Sequence, residues 1–181
     1  MLRFFLFTIN ILSCAALFAK SSYQIDLILF AYPQTANTHS AMYSPLIPVN
    51  KNAIPLTHNT NKSIIPYSLL APSQSALRDE YYQLSRRSSY KVLSHYSWRQ
   101  TSTSQSVVAL PHLSSNGWEM QGTVRVRQGT YYLLDAELQF SPPNNPQAAF
   151  KVSQHQRLKS NTVYFLDHPQ IGMIIKVHPL T

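Results

Sequence analysis

The chain has 181 residues, with 15 Lys or Arg against 7 Asp or Glu, so its formal net charge is +8 with the seven histidines neutral. A single cysteine and four glycines exclude an internal disulfide and a glycine-rich phosphate loop. The scarcity of carboxylates leaves little material for a metal centre or for the paired acids of glycoside cleavage.

Residues Met1 to about Ala19 read as an export signal. Arg3 gives a minimal positive start, and Phe4 to Phe18 form an apolar run too short to span a bilayer comfortably. Ala19 suits a cleavage site, although Leu17 is bulkier than the ideal. A retained anchor is one alternative. Acylation at Cys14 within Ile11-Leu12-Ser13-Cys14 is another, weakened because Ala15 to Phe18 continue the apolar run. Removal of this segment takes away Arg3, leaving a charge of +7 and no cysteine. A basic exported chain points away from nucleic acid and toward anionic envelope polymers or membranes, unless its charge serves only solubility. Residues 20–181 suit one domain, with no stable transmembrane span.

Tyr23 to Tyr32 predicts a strand. Its odd positions (Tyr23, Ile25, Leu27, Leu29) are apolar, and its even positions pass from Gln24 and Asp26 to Ile28 and Phe30, the pattern of an interior strand. Residues 33–73 carry six prolines among Asn, Ser and Thr, and predict a long irregular connection, read as an insertion rather than a binding loop. Ser75 to Arg87 predicts the main helix. Leu77, Tyr81 and Leu84 form one apolar stripe, Asp79 and Glu80 suit its positive pole, and Arg86 and Arg87 suit its negative one.

From Tyr90 the period becomes two. Val92 to Trp98 predicts a strand, as does Gln121 to Arg127, with Val124 and Val126 inward and Arg125 and Arg127 outward. After a turn at Gln128-Gly129, Tyr131 to Phe140 should form a hairpin with it. Phe150 to Leu158, Thr162 to Leu166 and Ile171 to His178 complete the set. The fold class is α+β: a mostly antiparallel, twisted sheet with one main helix packed on one face. A right-handed crossover through the helix would make the first strand and the Trp98 strand parallel neighbours or near neighbours, leaving the opposite sheet face partly exposed.

Asp167-His168-Pro169 invites a catalytic reading, yet the pair lacks a nucleophile and suits a proline corner better. The histidines have no close ligand spacing, so neither metal nor cofactor is expected. Asp135 and Glu137 share one strand face and suit pairing with Arg125 and Arg127 across the hairpin. Arg125, Arg127, Arg157 and Lys159 lie on strands expected in one sheet, where they form either a carboxylate-gripping surface or a solvated face.

Three blocks occur in order: Tyr23-Gln24-Ile25-Asp26-Leu27-Ile28-Leu29-Phe30; Val92-Leu93-Ser94-His95-Tyr96-Ser97-Trp98-Arg99-Gln100; and Gln156-Arg157-Leu158-Lys159 followed by Tyr164-Phe165-Leu166-Asp167-His168-Pro169 and Ile171-Gly172-Met173-Ile174. Together they resemble the CsiV family of periplasmic peptidoglycan-binding proteins of the Gram-negative envelope. The resemblance implies a non-enzymatic protein that binds peptidoglycan. It would support wall synthesis by a class A penicillin-binding protein and its outer-membrane lipoprotein activator. Trp98, Arg99, Gln100, Arg157, Tyr164, Asp167, His168, Pro169 and Gly172 match the pattern. Of these, Trp98, Arg99, Gln100, Arg157 and Tyr164, with Arg125, Arg127, Tyr131 and Lys159, make the candidate ligand surface, although a core position is the favoured reading for Trp98 itself. Asp167, His168, Pro169 and Gly172 are expected to be structural. The chain departs at Thr130 to Asp135, where the family often has Arg and His, and in its reduced Gln156 to Lys159 basic element. Rival readings are a wall hydrolase, a metal-dependent enzyme, or a protein-interaction module without glycan binding.

Overall fold

The computed structural model describes residues 21–33, 52–58, 67–143 and 148–180. The expected export signal, Cys14 and most of the proline-rich connection lie outside the described residues. In chain order the strands are β1 (Ser22–Ala31), β2 (Ile54–Pro55), β3 (Lys91–Thr101), β4 (Val108–Ala109) and β5 (Leu113–Ser115). They continue with β6 (Trp118–Gln128), β7 (Tyr132–Ser141), β8 (Phe150–Leu158), β9 (Val163–Asp167) and β10 (Ile171–Leu180), and a single helix among the described residues, α1, spans Arg78–Ser85.

These strands form two sheets where the sequence suggested one. The first has the order β3-β1-β10-β9, antiparallel throughout. The second runs β2-β4-β6-β7-β8, with β5 also paired to β6. The reason lies in the alternation of β6 and β7. Each buries Val, Leu, Met or aromatic side chains on one face only, and that face needs a second apolar layer rather than another strand at its edge. The first sheet supplies this layer. Tyr23 and Tyr132 rings meet at 5.1 Å, and the Tyr23 hydroxyl donates to the Val126 carbonyl at 2.8 Å, so the two sheets close on one core.

β1 is buried along nearly its whole length because both its faces are covered. Tyr23, Ile25, Leu27 and Leu29 point into the inter-sheet core, whereas Ile28 and Phe30 point the other way and meet Leu77, Tyr81 and Leu84. The expected stripe is therefore the one that packs. The helix itself is shorter than 75–87. Pro72–Gln74 form a 3₁₀ turn, and the Ser75 hydroxyl accepts the Leu77 N–H at 3.1 Å before α1 begins. Eight residues lie below the length at which an isolated helix is stable in water, so packing on the sheet holds α1 in place.

The crossover expectation is corrected. β3 lies beside β1, but antiparallel, with Ala31 opposite Lys91 and Ser22 opposite Thr101. The Leu70 N–H donates to the Ser97 carbonyl beside the middle of β3, and α1 then packs its stripe on Ile28 and Phe30 toward the end of β1. The connection is also less irregular than its prolines imply. Ile54–Pro55 pairs in parallel with Val108–Ala109, Thr57 bridges Ser68, and Leu56 and Tyr67 are buried in the main core. Segments of one or two paired residues are too short to leave a period in the sequence.

Candidate functional site

The outward face of the second sheet carries the charged side chains in rows set by strand register. Arg127, Leu133 and Arg157 occupy one row; Arg125, Asp135 and His155 the next; Thr123, Glu137 and Ser153 the third; Gln121, Gln139 and Lys151 the fourth. Asp135 is the hub. One of its oxygens accepts from Arg125 at 3.1 Å and from Arg127 at 3.0 Å, and the other lies 3.0 Å from His155 Nδ1. Burial pushes its pKa up, but the His155 and Arg125 bonds and the Arg127 charge outweigh burial and hold it below the ordinary carboxylate value. Glu137 is lowered likewise: burial opposes, while Lys151, Ser153 and His155 prevail. Arg125 and Arg127 are thus partly occupied by the cross-strand pairing that the sequence suggested. Side-chain exposures of 37% and 35% keep each such pair weak, at about 0–1 kcal/mol.

Arg157 and Lys159 differ. Both are exposed, at and just beyond the end of β8, and neither has an ion-pair partner among the described residues. The Lys159 backbone N–H donates to the Tyr164 hydroxyl at 2.8 Å, which links the end of β8 to β9. The Tyr164 ring is half-buried against the main core. Tyr131, 46% exposed, sits in the β6–β7 turn beside the Arg127 row. Arg127, Tyr131, Arg157 and Lys159 therefore share one end of this face. Arg99 is exposed but belongs to the first sheet, away from them.

Two residues expected at the ligand surface lie in the interior. Trp98 is 0% exposed on the inward face of β3, opposite Ile25. Gln100 is 2% exposed and accepts from the Tyr23 hydroxyl at 3.3 Å. Neither can touch a polymer. Strand alternation explains the correction, since Trp98 and Gln100 share the face of β3 that meets the second sheet while Arg99 between them points outward.

The Asp167-His168-Pro169 stretch is the turn between β9 and β10. The Ile171 N–H returns to the His168 carbonyl at 3.2 Å and the His168 N–H to the Ile171 carbonyl at 3.1 Å, with Pro169 at the first central position. His168 Nδ1 accepts the Gln170 N–H at 3.3 Å, and its ring stacks on Phe150 at 5.1 Å. Burial lowers its pKa, with Asp167 pulling the other way. Asp167 turns its carboxylate to the Tyr32 hydroxyl, 2.7 Å away. Asp167 and His168 thus each have a structural partner, and Pro169 sits within the turn between them and Ile171. Gly172 is required by close approach: a Cβ there would fall inside the Phe30 ring that lies across it.

Two features escaped the sequence. One is a polar network on the helix side of the first sheet. Asp26 is fully buried and accepts from Ser97 at 2.6 Å and from Gln24 at 3.0 Å, while His178 Nδ1 faces its other oxygen at 3.5 Å. Gln24 also donates to the Gln74 carbonyl, tying β1 to the turn before α1. The other is an aromatic cleft of about 260 Å³ between α1 and the first sheet. Phe30 meets Tyr32 and Tyr90 edge-on, each at 5.5 Å, and stacks on Phe165 at 6.2 Å. Phe165 is 55% exposed, and Arg87 and Glu80 stand at the rim. A signal existed in the alternation: Tyr164 and Phe165 must face opposite ways, so one ring had to point outward. Among the described residues no group of His, Cys, Asp and Glu is placed to hold a metal ion, and no helix is long and apolar enough to cross a membrane.

A family model described as peptidoglycan-binding protein, CsiV, matches residues 2–180. The chain belongs to the CsiV family. No match was found among curated proteins or among solved structures. CsiV membership therefore rests on the whole length of the chain, and the three sequence blocks acquire places in the CsiV fold: the central strand β1, its neighbour β3, and the β8-β9-β10 run.

Proposed function

We propose that the protein is a periplasmic, non-enzymatic peptidoglycan-binding accessory factor. It supports wall synthesis by a class A penicillin-binding protein and the lipoprotein that activates it. The observation that carries the reading is the whole-length match to a family described as peptidoglycan-binding, in a chain whose exposed cations Arg157 and Lys159 have no ion-pair partner among the described residues. The wall polymer is anionic through its stem-peptide carboxylates. A guanidinium grips such a group through two parallel hydrogen bonds, and neighbouring Tyr131 offers a ring face to an adjoining sugar. Arg127 strengthens the same end of the face, while Asp135 restrains it. We read the binding mode as contact without bond cleavage, a reading supported by the structural hydrogen bonds of Asp167 to the Tyr32 hydroxyl and of His168 within its own turn.

Co-sedimentation of the purified protein with isolated sacculi tests the reading. Binding is expected at low ionic strength, weakening as salt rises toward the physiological range, where charges more than about 8 Å apart are screened. The double variant Arg157→Ala with Lys159→Ala should remain folded and lose most of the pelleted fraction. Absence of the wild-type protein from the pellet at low salt would remove the proposal. Release of soluble muropeptides that stops on His168→Ala would replace it with a hydrolase.

A further inference from the structure

We infer that the aromatic cleft between α1 and the first sheet is a second peptidoglycan subsite, in which Phe165 carries a sugar ring and Arg87 holds a neighbouring carboxylate. This rests on the peptidoglycan reading above and extends it to a different face. The charged face belongs to the second sheet, whereas the cleft opens on the helix side of the first, so the two surfaces lie on opposite sides of the sandwich.

The rings are built into position rather than left exposed by chance. Phe30 is 3% exposed and fixed over Gly172, and the Phe165 ring lies stacked beside it, 21° from parallel, while keeping 55% of its own surface in solvent. Tyr32 and Tyr90 wall the cleft, meeting each other at 5.9 Å, and the Tyr32 hydroxyl is tied to Asp167. Burial, together with the Asp167 bond, keeps that hydroxyl protonated. An aromatic floor with a few polar groups at its rim has the composition of a small-molecule site. Its volume of about 260 Å³ falls just under the usual range of about 300–1,000 Å³, which suits one sugar ring and not a whole disaccharide peptide. The apolar C–H face of a pyranose covers a Phe ring, and its hydroxyls reach the carboxylate of Glu80. Arg87 has no ion partner among the described residues and lies just past the end of α1, where it is free to turn to a lactyl or stem-peptide carboxylate.

The test uses the full chain and soluble disaccharide-peptide fragments from digested sacculi, with binding followed by NMR and by sacculus co-sedimentation. Fragment addition should shift resonances of Tyr32, Tyr90 and Phe165. Phe165→Ala and Arg87→Ala should each weaken sacculus binding about tenfold, the size of one interfacial anchor. Tyr82→Ala, which removes an exposed ring outside the cleft lining, should not. Phe165→Leu keeps apolar bulk without the ring, so a loss there separates stacking from packing. If the wild type pellets with sacculi and both cleft variants pellet equally well, the cleft is not a subsite although the protein still binds the wall. If the wild type fails to pellet, the peptidoglycan reading falls and this inference with it.

Discussion

Single side chains divide into those that hold the fold and those free to meet a ligand. Trp98 belongs to the first kind. Its fully buried indole fills the space between the sheets, and Trp98→Ala should cost about 3–5 kcal/mol in urea unfolding. Arg157→Ala, at an exposed position without an ion partner, should stay within about 0.5 kcal/mol of wild type by the same measurement while lowering sacculus binding. Gly172 is a sharper case. Adding one methyl group forces Phe30 or the backbone aside, so Gly172→Ala should destabilise by about 1–3 kcal/mol. A double-mutant cycle with Phe30→Leu should recover part of that loss, because the smaller side chain vacates the ring's position. The sequence revealed which of these residues mattered but not their orientation. A Trp-Arg-Gln run on a strand presents alternate side chains to opposite faces, and only the presence of the second sheet decides that Trp98 and Gln100 point into the core.

At the scale of elements, α1 depends on its neighbours. Leu77 is 0% exposed and plugs the helix start onto Ile28 and Phe30. Leu77→Ala should cost about 2–5 kcal/mol globally. In hydrogen exchange, the amides of Arg78–Ser85 should lose protection before those of β1 and β6, since a helix this short does not persist once undocked. Much at this scale was legible. The interior character of β1 followed from its two apolar faces, the β6–β7 hairpin from its period-two alternation and Gly129, and the helix stripe from Leu77, Tyr81 and Leu84. The direction of β3 was not legible, because a helix between two strands does not by itself fix whether they run parallel or antiparallel. The division into two sheets was hidden for a related reason: alternation shows that a face is apolar without showing what covers it. The candidate site was legible as a set of cations. The pairing of two of them with Asp135, and the convergence of Phe165 with Tyr32 and Tyr90, arise from strand register and from contacts distant in sequence.

For the whole molecule, half-buried histidines set the response to acid. His95, His168 and His178 are all pushed below the ordinary value of 6.5, in each case chiefly by burial, with nearby Asp26 or Asp167 opposing. The unfolded chain therefore binds more protons than the native one as pH falls through about 6.5. Stability should be full above that point and decline below it, visible as a falling urea midpoint between pH 7.5 and about 5.5. Asp135 and Glu137 act in the same direction at lower pH, since their lowered values mean that stability present above about pH 4 is lost as they protonate. His178→Gln should flatten the first decline without moving the second.

The pairing of β1 with β10 joins Ser22 to Leu180 and Ala31 to Ile171. The strand that forms the middle of the first sheet thus has one flank empty until the last described strand has been made, and no local hairpin can substitute for it. Such long-range closure makes for slow folding, because the entropy of ordering the intervening chain is lost before the contact forms. A polypeptide threaded through a membrane from its amino end would emerge with one flank of that strand still open, and the first sheet would close only after β10 had crossed.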